Sequence, residues 1–311
     1  MSDIHEILVA VDFSEGSKAA LSQAAFIGKR VGAQLHVMHV WDAPEFLPPH
    51  EKALEVAATP FRTTLKAEAD RDLERFVKDA EASGVEVTHA FMESGVASST
   101  IVAVAKRQKY DLVVLGTHGR TGVAHTLLGS VAERVVRNAP CPVLTVREQA
   151  LKRSPSIRRI LAPVDYSEGS RQALEYAINL ASSFDAKLDV VHVWDRPIYV
   201  SEDVIVHARD VTQRSLGDLI RENAEQQMKD FLALFSINKP QEKRQFPPHR
   251  LLSGEPASTL LRELEKGEYD LLVLGTHGRT GLKHFLLGSI AEKLVRSSPV
   301  PVITVPPDPI E

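Results

Sequence analysis

The same glycine-rich octapeptide occurs twice in this chain: Leu115 to Gly122 reads LGTHGRTG, and Leu274 to Gly281 repeats it residue for residue. An internal repeat of this kind fixes the domain count and doubles any site the segment builds. The copies extend further. VDFSEGS at Val11 to Ser17 returns as VDYSEGS at Val164 to Ser170, and HVWD at His39 to Asp42 returns at His192 to Asp195, each 153 positions on. The glycine segments, with Ser94-Gly95 against Ser253-Gly254, lie 159 positions apart, so the second copy carries six extra residues between Asp195 and Ser253. Two long homologous units follow, not a solenoid, which needs about three or more short repeats.

A length of 311 residues suits two domains, since one hydrophobic core supports roughly 100 to 200 residues. Glu148 to Ser156, of mixed charge and with Pro155, reads as the connection, giving domains 1–148 and 157–311 with linker 149–156. The formal charge of -4 gives no long-range pull toward nucleic acid, whose binding depends on basic patches. Cys141, the only cysteine, rules out an intrachain disulfide or cysteine metal cluster and reads as a small core residue. No uncharged apolar run approaches the ~18 residues of a membrane span, and the N-terminus lacks a basic region followed by an apolar stretch. A membrane partner is not expected, and the cytoplasm is the expected location.

Within each half, short β-branched runs alternate with longer amphipathic stretches, the pattern of βαβ units around a parallel sheet covered on both faces. Strands are predicted near Ile7 to Val11, Leu35 to Val40, Val85 to Phe91, Leu112 to Leu115 and Val143 to Val146. Their counterparts are Ile160 to Val164, Leu188 to Val193, His249 to Leu252, Leu271 to Leu274 and Val302 to Val305. Ser14 is a predicted N-cap with Glu15 in the first turn, followed by an apolar stripe of Ala20, Leu21, Ala24, Ala25, Ile27 and Val31. Loops are expected at Pro44 to Pro60, Ser201 to Ser215 and Ser236 to Pro248, and the Pro-Pro-Asp-Pro tail is expected to fray.

In open α/β sheets the ligand crevice lies beyond the carboxyl ends of the strands where the strand order reverses. The repeated segments fall there. Gly116, Gly119 and Gly122 are expected to allow positive φ and close approach of a ligand, and Gly129-Ser130 then opens a helix with Val131, Val135 and Val136 on its apolar side. A glycine-rich loop running into a helix N-terminus offers backbone N–H groups to an anion. Ser130 adds a hydroxyl and Arg120 a guanidinium that can fork onto phosphate oxygens. The second copy keeps Gly275, Gly278, Arg279, Gly281, Gly288 and Ser289.

After the first strand stands an acid, Asp12 or Asp165. Beside phosphates it would repel them, so it suits the neutral end of an elongated ligand, accepting from an amine or hydroxyl. A nucleotide satisfies both ends. The alternative is that the glycines only make a tight connection and the Asp caps the next helix. Retention of the Gly, Arg, Ser and Asp set in both copies, while Ala124 and Lys283 differ, favours the ligand. No G-x-x-x-x-G-K-[ST] is present and no G-x-G-x-x-G follows the first strand, against P-loop hydrolysis and hydride transfer.

The spacing G-x2-G-x9-G-[ST], at Gly116, Gly119, Gly129, Ser130 and again at Gly275, Gly278, Gly288, Ser289, resembles the ATP-binding signature of the universal stress proteins. The strand-one V-D-x-S and the closing Pro-x-Pro-Val at Pro140 to Val143 and Pro299 to Val302 fit the same family. The resemblance covers nearly the whole chain as two fused domains. It implies an α/β fold of two tandem doubly wound domains, each a five-stranded parallel sheet in order 3-2-1-4-5, with the last strands meeting across a pseudo-twofold interface. It further implies that adenine rests on Asp12 and Val40, with ribose and phosphates on Gly116, Gly119, Arg120, Gly129, Ser130 and Val131. The matching set is Asp165, Val193, Gly275, Gly278, Arg279, Gly288, Ser289 and Ile290. Ala10 stands where the second copy has Pro163, and the loops after the second strands differ, so the pocket walls are not expected to be identical.

The expected cofactor is ATP, with or without magnesium on its phosphates. His118 and His277 are the acid–base candidates within the loops, whereas His39 and His192 at strand ends read as satisfied rim or core residues. No metal-binding cluster or general base aimed at a water stands out, so the motif reads as built to hold ATP rather than split it. The leading expectation is a nucleotide-binding stress-response or regulatory protein. The alternatives are a slow ATPase or phosphotransferase using His118 or His277, and an interaction scaffold with degenerate pockets. The client and the association of two chains stay open.

Overall fold

The computed structural model describes residues 4–41, 52–117, 128–194, 205–206, 214–236, 248–276 and 287–307. The first half runs β1 (Glu6–Val11), α1 (Glu15–Val31), β2 (Gln34–Trp41), α2 (Lys52–Ala82), β3 (His89–Ser94), α3 (Ala97–Gln108), β4 (Leu112–Gly116), α4 (Ser130–Asn138) and β5 (Val143–Val146). The second runs β6 (Arg159–Pro163), α5 (Glu168–Phe184), β7 (Lys187–Trp194), the short strands β8 (Ile205–Val206) and β9 (Arg214–Ser215), α6 (Leu216–Ala233), β10 (His249–Ser253), α7 (Pro256–Glu265), β11 (Leu271–Gly275), α8 (Ser289–Ser297) and β12 (Val302–Val305).

The strand runs are continuously apolar because helices cover both faces of the sheet. Along β1, Ile7, Val9 and Val11 enter the core beneath α1, while Leu8 and Ala10 enter the opposite core with α3 and α4. Ser14 caps α1 by accepting from the Ser17 amide, with Glu15 in the first turn, and Ser167 repeats this on α5. Ala20, Leu21, Ala24 and Ile27 are fully buried as the stripe requires, with Ala25 and Val31 partly buried against them.

Each half is a doubly wound sheet in the order 3-2-1-4-5, and the halves join into ten strands, β10-β7-β6-β11-β12-β5-β4-β1-β2-β3. Within this ten-stranded sheet the pairings inside each half are parallel and only β12 and β5 run antiparallel, with Leu144 opposite Ile303 at the centre. That single antiparallel ladder is what a twofold relation between two parallel sheets produces. Thr145 Oγ1 donates to the Val302 carbonyl and Thr304 Oγ1 to that of Val143, both at 3.3 Å, so each buried hydroxyl at the junction is satisfied from across it. Between the helices, Phe26 meets Phe184 at 5.6 Å and Arg30 Nε donates to the Ser183 carbonyl at 2.9 Å.

Three expectations about elements change. The strand predicted from Val85 begins at His89, because the Val85 amide closes the end of α2 on Ala80 and pairing with β2 starts only when the Thr88 amide reaches Leu35. The proline-rich stretch ending at Pro60 is helical from Lys52. The polar loop Ser201 to Ser215 contains an antiparallel ribbon, Ile205 opposite Ser215 and Val206 opposite Arg214. The connection between halves carries a 3₁₀ turn at Glu148–Lys152, from which Ala150 packs on the core around α1. Cys141 is buried, and burial pushes its thiol up to about 12, consistent with a core role. Residues 237–247 and the tail beyond 307 lie outside the described residues.

Candidate functional site

Strand order reverses between β1 and β4 and between β6 and β11. A cavity opens beyond the strand ends at both places, of about 260 Å³ in the first half and about 680 Å³ in the second. Asp12, Val40, Gly116, Gly129, Ser130 and Val131 all line the first. Asp165, Val193, Gly275, Gly288, Ser289 and Ile290 line the second. The remaining candidates, Gly119, Arg120, Gly278 and Arg279, lie outside the described residues, as do His118 and His277.

The floor of each cavity is a helix start. In α4 the first intrahelical bond runs from the Glu133 amide to the Gly129 carbonyl at 2.9 Å, and among the described residues no side chain caps this end. The amides of the first turn therefore lack intrahelical acceptors and carry the positive end of the helix dipole. α8 repeats the arrangement, with Glu292 bonding to Gly288 at 2.9 Å. The chain returns to this point through a second tie: the Gly129 amide donates to the Thr117 carbonyl at 2.8 Å, and Gly288 to Thr276 at 2.9 Å. Thr117 and Thr276 are thus buried pins that clamp both ends of each glycine loop to its strand. Val131, expected on an apolar face, stands 36% exposed and its counterpart Ile290 39%; at the helix's second residue they border the cavity while Val135 and Val136 take the core.

The acidic wall is built by a strained turn. Phe13 and Tyr166 adopt φ of 67° and 65°, a left-handed conformation uncommon for aromatic residues and typical of sites where surrounding contacts over-determine the backbone. The contacts are visible. Phe13 packs at a tilt 4.3 Å from His39 and 5.7 Å from Phe76; Tyr166 stacks 4.2 Å from His192 and lies tilted 5.4 Å from Phe231. Each histidine approaches back to the first strand, His39 Nδ1 2.7 Å from the Val11 carbonyl and His192 Nδ1 2.7 Å from that of Val164, so each is the satisfied rim residue expected. Within the turn Asp12 Oδ1 accepts from the Ser14 amide (3.1 Å), Ser14 Oγ (2.6 Å) and Ser17 Oγ (2.5 Å). Asp165 Oδ1 accepts from the Ser167 amide (3.1 Å) and hydroxyl (2.5 Å). Serine, not aspartate, caps the helix; the aspartate orients the cap while facing the cavity.

One glycine has a different reason from the one expected. Neither Gly116 nor Gly275 has positive φ. A Cβ on Gly116 would lie 2.8 Å from the Gly16 carbonyl carbon, and one on Gly275 2.7 Å from the Gly169 oxygen. These glycines admit the first turn of α1 or α5 against the strand end. Positive φ occurs instead at Gly95 (136°) and Gly254 (134°), where the third strand of each half ends. The aromatic position after Asp and the threonine third in each octapeptide were missed from sequence, although both recur in the two copies.

The universal stress protein family model matches residues 4–147 and 156–306. The chain belongs to the universal stress protein family. A universal stress protein of Methanocaldococcus jannaschii is 39% identical over 144 residues, which cover 46% of this chain and 82% of that protein. One of Mycobacterium tuberculosis is 28% identical over 311 residues, covering 96% of both chains. The crystal structure of a universal stress protein from Archaeoglobus fulgidus matches with a TM-score of 0.62 at 20% identity, over 97% of this chain and 98% of that one. Among the described residues, no group of three or more His, Cys, Asp or Glu could hold a metal ion, and no helix is long and apolar enough to cross a membrane.

Proposed function

We propose that this universal stress protein binds an adenine nucleotide, ATP in the first instance, at the switch-point cleft, with the phosphates on the α4 or α8 N-terminus and the nucleoside toward Asp12 or Asp165. One observation carries the reading. In both halves a helix start that no described side chain caps and a carboxylate line a single cavity. The uncapped amides favour anionic oxygens, and the aspartate favours hydrogen-bond donors such as ribose hydroxyls or a purine amine. A ligand with charge at one end and donors at the other fits this polarity. Magnesium, where it accompanies ATP, would be carried on the phosphates. Ligand binding to the native state raises its stability by mass action and selects the conformation that holds it, so the bound nucleotide serves a regulatory role in the stress response.

Calorimetric titration with ATP tests this. Binding is expected for the native chain and should weaken at least tenfold in the double variant Asp12→Asn, Asp165→Asn, which keeps an oxygen for the capping serines but changes the face toward the ligand. Absence of heat from the nucleotide-stripped native chain, or an unchanged affinity in the double variant, would refute the assignment.

A further inference from the structure

The two clefts differ more than their shared motif suggests. At about 680 Å³ the second lies within the roughly 300–1,000 Å³ of sites that enclose small molecules, while the first, at about 260 Å³, falls below it. The extra space is walled by α6, through Ile220, Asn223, Ala224 and Gln227. In the first half no described residue of α2 reaches the cavity.

The helices nevertheless correspond. Leu73 and Phe76 of α2 are buried in the same core as Met228 and Phe231 of α6, and Phe76 and Phe231 meet the matching aromatic of the strained turn. By that register Asn223 and Gln227 stand where the first half has Glu68 and Asp72. The second half thus places two neutral amides at its cleft, at register positions where the first half has two carboxylates that do not reach its cavity. A further difference fixes α6 in place: Tyr166 Oη donates to the Ala224 carbonyl at 3.3 Å. Phe13, the counterpart of Tyr166, has no hydroxyl to make this tie. It is the one substitution between VDFSEGS and VDYSEGS.

We infer that the second-half cleft is the high-affinity nucleotide site of the chain, that Asn223 and Gln227 are specificity residues contacting the nucleoside, and that Tyr166 is a positioning residue that holds α6 at the cleft. This rests on the nucleotide reading above. Amide side chains both donate and accept, which suits the mixed edge of a purine or a ribose diol, whereas paired carboxylates accept only and add charge of the same sign as the phosphates.

ATP titration of the full-length, nucleotide-stripped chain tests the inference. One strong site per chain is expected. Asp165→Asn should weaken it at least tenfold, and Asp12→Asn, which lies in the other cleft, by a much smaller factor. Replacing Asn223→Glu with Gln227→Asp, which installs the first half's residues on an exposed helix surface, should weaken binding at least tenfold with an unchanged melting temperature. Tyr166→Phe should weaken ATP binding several-fold, and by a smaller factor for inorganic triphosphate, which lacks the nucleoside; equal loss for both probes would mark a merely structural role. Two sites of equal affinity, loss on Asp12→Asn instead of Asp165→Asn, or an α6 variant within twofold of native would overturn the inference and leave the nucleotide reading standing. No ATP binding by the native chain would overturn both.

Discussion

Gly275→Ala isolates the close approach on which the cleft is built. The new Cβ would sit 2.7 Å from the Gly169 oxygen and 2.8 Å from its carbonyl carbon, both backbone atoms of the first turn of α5. Restoring an ordinary carbon–carbon separation of roughly 3.5 Å requires α5 to withdraw by about 0.7 Å, enough to forfeit a quarter to a half of each dispersion contact along that turn. α5 buries Ala173, Leu174 and Ala177 against the sheet, and overpacking at such a site costs about 2–3 kcal/mol. For a domain of this size that corresponds to roughly 4–12 °C in melting temperature. The control is Gly267→Ala, where φ is +75° and a Cβ meets nothing within 4 Å; only the left-handed backbone opposes it, at about 1 kcal/mol. Thermal and urea unfolding of the nucleotide-stripped proteins should rank Gly275→Ala well below Gly267→Ala. A Gly275→Ala protein within about 0.5 kcal/mol of native would show that α5 recedes without loss and would refute the packing account.

Two further outcomes are expected. Asp189 accepts from Arg159 at 2.6 Å and from Tyr269 at 2.9 Å within β7; since Arg159 is a third exposed, Asp189→Asn should cost about 2 kcal/mol in urea unfolding rather than the larger loss of a fully buried pair, and no change would count against the pairing. Glu255, the N-cap of α7, is held down at about 2, first by the Ser258 hydroxyl and then by the Ser258 and Ala257 amides. A depressed carboxylate stabilises above its ordinary pKa and loses that contribution as pH falls toward 2, so Glu255→Gln should cost about 0.5 kcal/mol at pH 7, reduced by solvent exposure, and nothing near pH 2. A deficit that grows on acidification would reverse the assigned sign.

Much of the fold was legible because the repeat disciplined the reading. Ile7, Val9 and Val11 alternate against Leu8 and Ala10 in a run that only a doubly covered strand explains, and Ser14-Glu15 marks a helix start by chemistry alone. The strand assigned from Val85 overran its start because apolar residues that close a helix resemble strand residues; only the position of Leu35 decides where pairing begins. The site was legible as far as local chemistry reaches, through Asp12, Gly129 and Ser130 and their copies. Gly116 was misjudged because its neighbour, Gly16, is remote in sequence and only the packed helix brings it to the strand. The α6 wall was invisible for the same reason: Asn223 and Gln227 sit on a helix face with no motif, and only the Tyr166 tie to Ala224 aims that face at the cleft.

The central claim is that the switch-point clefts hold an adenine nucleotide. Native protein, purified without added nucleotide, denatured and resolved by anion-exchange chromatography with ultraviolet detection, addresses it most directly, with calorimetric addition of ATP to the same preparation. The account predicts an adenine nucleotide released on denaturation, or saturable ATP binding where none was retained. Neither retained nucleotide nor heat on ATP addition would contradict it.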